Sequence, residues 1–343
     1  MDGETGMTTI ETIAVVGAGA WGTALAINAA RAGRSVILWG RDRAAISAME
    51  ARRENTGYLP GIPLDPTINI TADIAKTAIA DTILLVVPAQ TVGEVTSTLS
   101  PGSEPLAVCA KGLQRGTDWR LSEVVREAAP GRSVAVLSGP NFAREVASGL
   151  PAAATLGCAD EGLGKALAAS MSHQDFRLYW TDDVIGVEIG GAIKNVLAIA
   201  AGMVAGRGLG ENAKAALITR GLAELMRLGE ALGARRDTLM GLSGLGDLML
   251  TAGSPTSRSM AFGMRIGEGA DPVHLQQEPS TLVEGVATAA AVIRLAQSTA
   301  CGRCPLPICE AVASILAGQL DVGQAIDALM TRPLRAEADQ ESR

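Results

Sequence analysis

The sequence predicts an α/β chain: a doubly wound parallel sheet followed by an all-α second domain. Three observations carry that expectation. Short, continuously apolar runs alternate with helical patterns through the first half of the 343 residues. A glycine-rich turn joins the first run to the first helix. Beyond about Asp182 strand signals disappear, and long segments rich in Ala, Leu and Gly take over.

"TIAVVG" (Thr12–Gly17), "SVILWG" (Ser35–Gly40), "TILLVVP" (Thr82–Pro88), "PLAVCAKG" (Pro105–Gly112) and "SVAVLSGP" (Ser133–Pro140) read as strands. They are apolar throughout rather than alternating, as expected where both faces of a sheet are covered. Helical patterns such as "WGTALAINAARAG" (Trp21–Gly33) and "DWRLSEVVREAA" (Asp118–Ala129) follow, which is a βαβ rhythm. "PAAATLGCA" (Pro151–Ala159) and "DFRLYW" (Asp175–Trp180) extend the sheet. A first domain over residues 1–182 results. "NAKAALITRGLAELMRLGEALG" (Asn212–Gly233) and "TLVEGVATAAAVIRLAQS" (Thr281–Ser298) typify a helical domain over 183–330, and 331–343 form a polar tail.

"VVGAGAWGTALA" opens the first helix with Gly17-x-Gly19-x-x-Gly22. Gly17 permits the tight turn, Gly19 lets a pyrophosphate approach the backbone, and Gly22 lets helix pack on strand. The helix N-terminus, with Ala20 and Trp21, then faces the phosphates. In this context the turn marks a Rossmann-type dinucleotide site; the alternative is a tight turn with no ligand. After the second strand the chain reads "GRDR". Arg41 favours the 2′-phosphate of NADPH, while Asp42 keeps NADH possible.

The net charge of −7 supplies no basic stripe for nucleic acid. The apolar stretch Ile189–Ala205 contains Lys194 at its middle, and a central Lys costs roughly 2.5–3.5 kcal/mol in a bilayer, so no membrane span is expected. The acidic N-terminus shows no basic-plus-apolar leader, so the expected location is the cytoplasm. Five scattered cysteines include Cys301-x-x-Cys304, which lacks a second pair and reads as reduced thiols rather than a metal site.

The chain holds 24 Arg but five Lys, and two His. His173 reads as a loop residue ahead of a strand, so acid–base chemistry turns to Lys111 and Lys194. A buried lysine has a lowered pKa and can hand its proton to a developing alkoxide. From the residues alone, Lys194 is either that donor or a paired core lysine.

"LWGR", "NTGYLPGIPL", "VVPAQ", "AKGL", "SGPNFAREVASGLPAA", "GVEIGGAIKNVLAIAAG", "NAKAALITRGLAELMRLG", "GLSGLGDLMLT", "SPTSRS" and "VEGVATA" follow the glycine turn in order, across about residues 12 to 320. With that turn they resemble the bacterial NAD(P)-dependent glycerol-3-phosphate dehydrogenases. The resemblance implies reduction of dihydroxyacetone phosphate, a phosphorylated triose, for phospholipid synthesis, in a cleft between a Rossmann and a helical domain. It implies Lys194 as the proton-handling residue, Lys111 touching cofactor and substrate, and Asp247 at the substrate. Gly139, Asn141, Ser257, Arg258 and Ser259 match substrate contacts; Ala143, Arg258, Leu282 and Glu284 match cofactor contacts. Two positions depart from the family. Asn141 stands where Ser or Thr is usual, and Ser259 where Asn is usual. Both keep hydrogen-bonding capacity but change reach. Rival expectations are a dehydrogenase acting on a sugar acid such as 6-phosphogluconate, and a nucleotide sensor without catalysis. The glycine-rich helices are also candidates for a homodimer interface.

Overall fold

A computed structural model describes residues 9–278, 283–298 and 304–331. Its strands are β1 (Thr12–Val16), β2 (Ser35–Trp39), β3 (Asn69–Thr71), β4 (Thr82–Leu85), β5 (Leu106–Val108), β6 (Val134–Ser138), β7 (Ala152–Gly157) and β8 (Phe176–Thr181). They form one sheet in the order β3-β2-β1-β4-β5-β6-β7-β8. Ile13 of β1 pairs with Val36 on one side and Thr82 on the other, both in parallel. The strand order reverses between β1 and β4, and that crevice is where open α/β sheets bind ligands. Alternate residues of β1 serve opposite faces: Ile13 and Val15 join one apolar cluster, Ala14 and Val16 the other.

Several local expectations need correction. β3 went unpredicted because "NIT" is three residues long and mostly polar. β4 and β5 are shorter than their apolar runs, since Val86–Pro88 and Cys109–Gly112 leave the sheet to form loops over the crevice. β7 runs antiparallel to β6, a reversal the apolar pattern does not encode. The helix expected from Asp118 is Leu121–Ala128, because Asp118 has φ +60° and Arg120 is the N-cap.

Beyond β8 every regular element among the described residues is helical. The central helix, Val184–Gly206, is long and apolar enough to cross a membrane, but 94% of its most apolar window is buried inside the chain. It is the core of the second domain, and Asp183 caps it by accepting from Gly186 N at 2.8 Å. Its Glu188, also buried, accepts from the Ser122 backbone and hydroxyl at 2.7 Å each, tying the helix to the Rossmann layer.

The glycines of this domain allow close backbone approach. Gly202 and Gly206 of the central helix face Gly263 and Gly267 of the helix Arg258–Gly267. A side chain at Gly263 would overlap the Ile199 carbonyl, and one at Gly202 the Met260 carbonyl. These four glycines therefore serve packing within the chain, not an interface with a second copy. Gly263→Ala is expected to destabilise the protein by about 1–3 kcal/mol through overpacking. Gly253→Ala, where no neighbouring atom lies within 4 Å, is the control and should leave the melting temperature unchanged. Equal melting temperatures for both variants would contradict the packing assignment.

Candidate active site

The glycine turn has three separate steric jobs. Gly17 has φ +124°, and a side chain there would overlap the Val86 carbonyl just past β4. A side chain at Gly22 would overlap the Gly17 carbonyl. The Cβ position of Gly19, by contrast, meets nothing within 4 Å. Gly19 is also the N-cap of the helix Ala20–Arg31 and offers no side-chain cap. An uncapped helix start beside this open space fits a pyrophosphate. Ala20 and the half-buried Trp21 form that first turn. Buried Asn55, within the quoted "NTGYLPGIPL", braces the turn by donating to Ala18 O at 3.0 Å and Thr23 Oγ1 at 2.7 Å. Nothing in the composition of that segment marks the role, because both partners lie more than 30 residues away.

Past β2, Arg41 is exposed. Asp42 is occupied as the N-cap of the helix Arg43–Arg52, accepting from Ala44 N at 3.0 Å and Ala45 N at 3.1 Å.

At the other end of the cleft one carboxylate holds two ammonium groups. Asp247 Oδ2 accepts from Lys111 Nζ at 2.5 Å, and Oδ1 from Lys194 Nζ at 2.9 Å. Lys111 also donates to Gly139 O at 2.9 Å, and Lys194 to Thr251 Oγ1 at 2.6 Å. Asp247 is 1% exposed and Lys194 7%. Asp247 begins the helix Asp247–Gly253 after a wide π turn over Leu242–Gly246. That turn lies against Gly190 of the central helix, where a Cβ would come within 2.7 Å of Ser243 O. The carboxylate thus faces the lysines instead of capping its own helix. Thr251 is one helical turn beyond Asp247, on the same face. The i, i+4 spacing from Asp247 is present in the sequence, but a Thr at that spacing is ordinary in a helix.

Burial pushes the Lys194 ammonium down, to about 8; the Lys111 and Arg258 charges push the same way, and Asp247 opposes them. For Asp247 burial favours the neutral acid, but the two lysines outweigh it and hold the carboxyl below its usual range.

Of the remaining expected residues, Gly139 bonds to Lys111 and the Arg258 charge acts on Lys194. Gly139 packs against Ala154, leaving 2.7 Å between a Cβ there and the Ala154 α-carbon. Asn141 donates to Ala153 O at 3.1 Å while its Oδ1 is buried without a partner. Ala143 opens the helix Ala143–Ala147. Ser257 caps the helix that Arg258 begins, accepting from Met260 N at 3.4 Å. Ser259 is buried and donates to Asn195 Oδ1 at 3.4 Å, beside Lys194. Arg258 is exposed, yet its charge acts on both Lys194 and Glu284. Glu284, at the start of the helix Glu284–Gln297, reaches across the cleft and accepts from Ala89 N at 3.1 Å. Burial raises its pKa. Leu282 and Cys301 lie outside the described residues.

His173 stays away from the cluster: its Nε2 pairs with Asn28 Oδ1 at 2.8 Å, ahead of β8. Cys304 and Cys309 are both buried.

Comparison with known proteins gives a consistent result. Residues 12–164 match the N-terminal model of NAD-dependent glycerol-3-phosphate dehydrogenase, and residues 183–327 match the C-terminal one. The chain is 51% identical over 337 residues to a glycerol-3-phosphate dehydrogenase [NAD(P)+] of Rhodospirillum rubrum, covering 97% of this chain and 96% of that one. It is 54% identical over 331 residues to the protein of that name in Methylobacterium radiotolerans, covering 95% and 98%. A crystal structure of glycerol-3-phosphate dehydrogenase from Coxiella burnetii superposes with a TM-score of 0.88 at 40% identity, covering 94% and 99%. With both halves of the family and both ends of the cleft in place, the chain belongs to the NAD-dependent glycerol-3-phosphate dehydrogenase family.

Proposed function

We propose that this chain reduces dihydroxyacetone phosphate to sn-glycerol 3-phosphate with NADPH, reversibly, and so supplies glycerophospholipid synthesis. One observation carries the reading: a single buried carboxylate, Asp247, holds Lys111 from the Rossmann layer and Lys194 from the central helix. Residues 12–182 hold the cofactor in this reading, and 183–330 supply the proton and most substrate contacts. The cofactor, held at the Gly17–Gly22 turn, supplies the hydride.

The chain's own residues do the rest. Lys111 holds the substrate oxygen beside the cofactor. As that oxygen gains alkoxide character, Lys194 gives it a proton and is left as the neutral amine. Asp247 and Thr251 aim the ammonium, and a pKa near 8 keeps it charged at neutrality while easing its release. Arg258 offers a guanidinium fork to the phosphate dianion, with Ser257 and Ser259 hydroxyls as further donors. Gly139 and Asn141 border the substrate; Ala143 and Glu284 border the cofactor. The capping role of Asp42 leaves Arg41 as the group free to meet a 2′-phosphate, which supports NADPH over NADH. A cytoplasmic location belongs to the same proposal and is supported by the buried free thiols of Cys109, Cys158 and Cys309.

NADPH loss with dihydroxyacetone phosphate is the direct assay, and absence of turnover at micromolar enzyme refutes the reading. Lys194→Ala should lose turnover while retaining NADPH binding; an unchanged rate would remove the residue from its role. The reduction needs charged Lys194, so its rate should fall by about tenfold per pH unit above a pKa of about 8. The oxidation needs the neutral amine and should rise with pH through the same range. Parallel profiles in the two directions would contradict the assignment. Arg41→Ala should lower the NADPH/NADH ratio of kcat/KM, and a constant ratio would show that Arg41 does not read the 2′-phosphate.

A further inference from the structure

We propose that the ion pair between Asp118 and Arg294 is a positioning latch, one that holds the loop following Lys111 against the helix that begins at Glu284. The proposal rests on the catalytic reading of that cleft. Arg294 Nε donates to Asp118 Oδ2 and Nη2 to Oδ1, both at 2.7 Å, so the guanidinium fork is fully engaged. The two residues belong to different domains. Asp118 closes a hairpin-like loop in which Leu113 bridges Arg120 and Gln114 N donates to Trp119 O at 2.9 Å. The loop begins two residues beyond Lys111. Gln90 braces its Rossmann side, donating to Leu113 O at 2.9 Å and accepting from Arg115 N at 2.8 Å.

Arg294 lies on the helix that starts at Glu284, about 15 Å further along. That helix touches the same two Rossmann loops at three levels. Its first residue, Glu284, takes the Ala89 N–H, next to Gln90. At Gly112 (φ +152°) a Cβ would come within 3.2 Å of Thr288 Oγ1. Near its last turn sits the Asp118–Arg294 pair.

Lys111–Asp247, Ala89–Glu284 and Asp118–Arg294 thus all cross the cleft. The first two use groups expected to turn toward substrate and cofactor. The third uses none, so it can hold the loop to the helix while those groups exchange partners. Asp118 also sits in the left-handed region, which Asp tolerates better than most residues, and its side chain is 17% exposed. A fixed backbone and a bidentate geometry distinguish it from the usual surface pair of negligible effect.

The test uses Asp118→Asn, which keeps shape and suits the left-handed backbone, Arg294→Gln, the double variant, and Arg294→Lys, which keeps charge without the fork. At low ionic strength each of the first two should lower kcat/KM for NADPH and for dihydroxyacetone phosphate by about fivefold. The double variant should lose no more than either single one, and Arg294→Lys should recover part of the loss. In about 1 M salt, wild type should converge on the variants, because screening removes the pair. Amides of residues 113–120 should exchange hydrogen faster in the variants. Rates equal to wild type at low salt, losses that multiply in the double variant, or unchanged exchange would each overturn the latch. If wild type turns over no dihydroxyacetone phosphate, the functional reading fails, while the exchange of 113–120 still decides the latch.

Discussion

The rest of the second domain is arranged around one buried carboxylate. Asp247 stands between two ammonium groups in surroundings where an unpaired charge would cost several kcal/mol. Removing the carboxylate would strand two cations, and removing either lysine would leave the carboxylate wholly to the other. Lys111 comes from the loop after β5, Lys194 from the middle of the central helix, and Asp247 from beyond a π turn. One interaction therefore fixes the distance between the Rossmann layer and the helical domain at the place where reacting atoms must meet. The same arrangement makes chemistry possible. A lysine wholly neutralised by its partner would hold its proton too firmly, whereas one carboxylate shared between two lysines, under burial, brings Lys194 down to about 8.

The central helix explains why the lysine is found in so apolar a segment. The helix is the core of its domain and also the carrier of the proton donor. Glycines let it serve both ends. Gly190 admits the turn that presents Asp247, Gly191 lies against Ser138 at the end of β6, and Gly202 and Gly206 admit the crossing helix. Glu188, one and a half turns before Lys194, is bonded to Ser122 and fixes the helix against the Rossmann layer. Positional precision at Lys194 thus derives from backbone contacts on either side of it, where no flexible side chain intervenes.

Much of this was legible in the residues. The apolar runs specified the parallel strands because both sheet faces are covered, and the glycine spacing specified the nucleotide turn because each glycine has its own steric task. What escaped has a common cause. β3 is too short and polar to leave a pattern, the antiparallel β7 has the same composition as a parallel strand, and Asn55 acts over 32 or more residues of separation. Thr251 and the Asp118–Arg294 pair gain meaning only when the chain folds back, since neither residue type is unusual where it stands. Asp42 shows the converse: a carboxylate at a suggestive position, engaged by its own helix.

The central claim is that burial beside Lys111, opposed by Asp247, sets the proton affinity of Lys194. It can be measured without turnover, from the pH dependence of isotope-labelled dimethylation at the Lys194 amine followed by NMR. The account predicts a pKa near 8 in the wild type and a lower one in Asp247→Asn. A value near the ordinary 10.5, or one unmoved by Asp247→Asn, would contradict it.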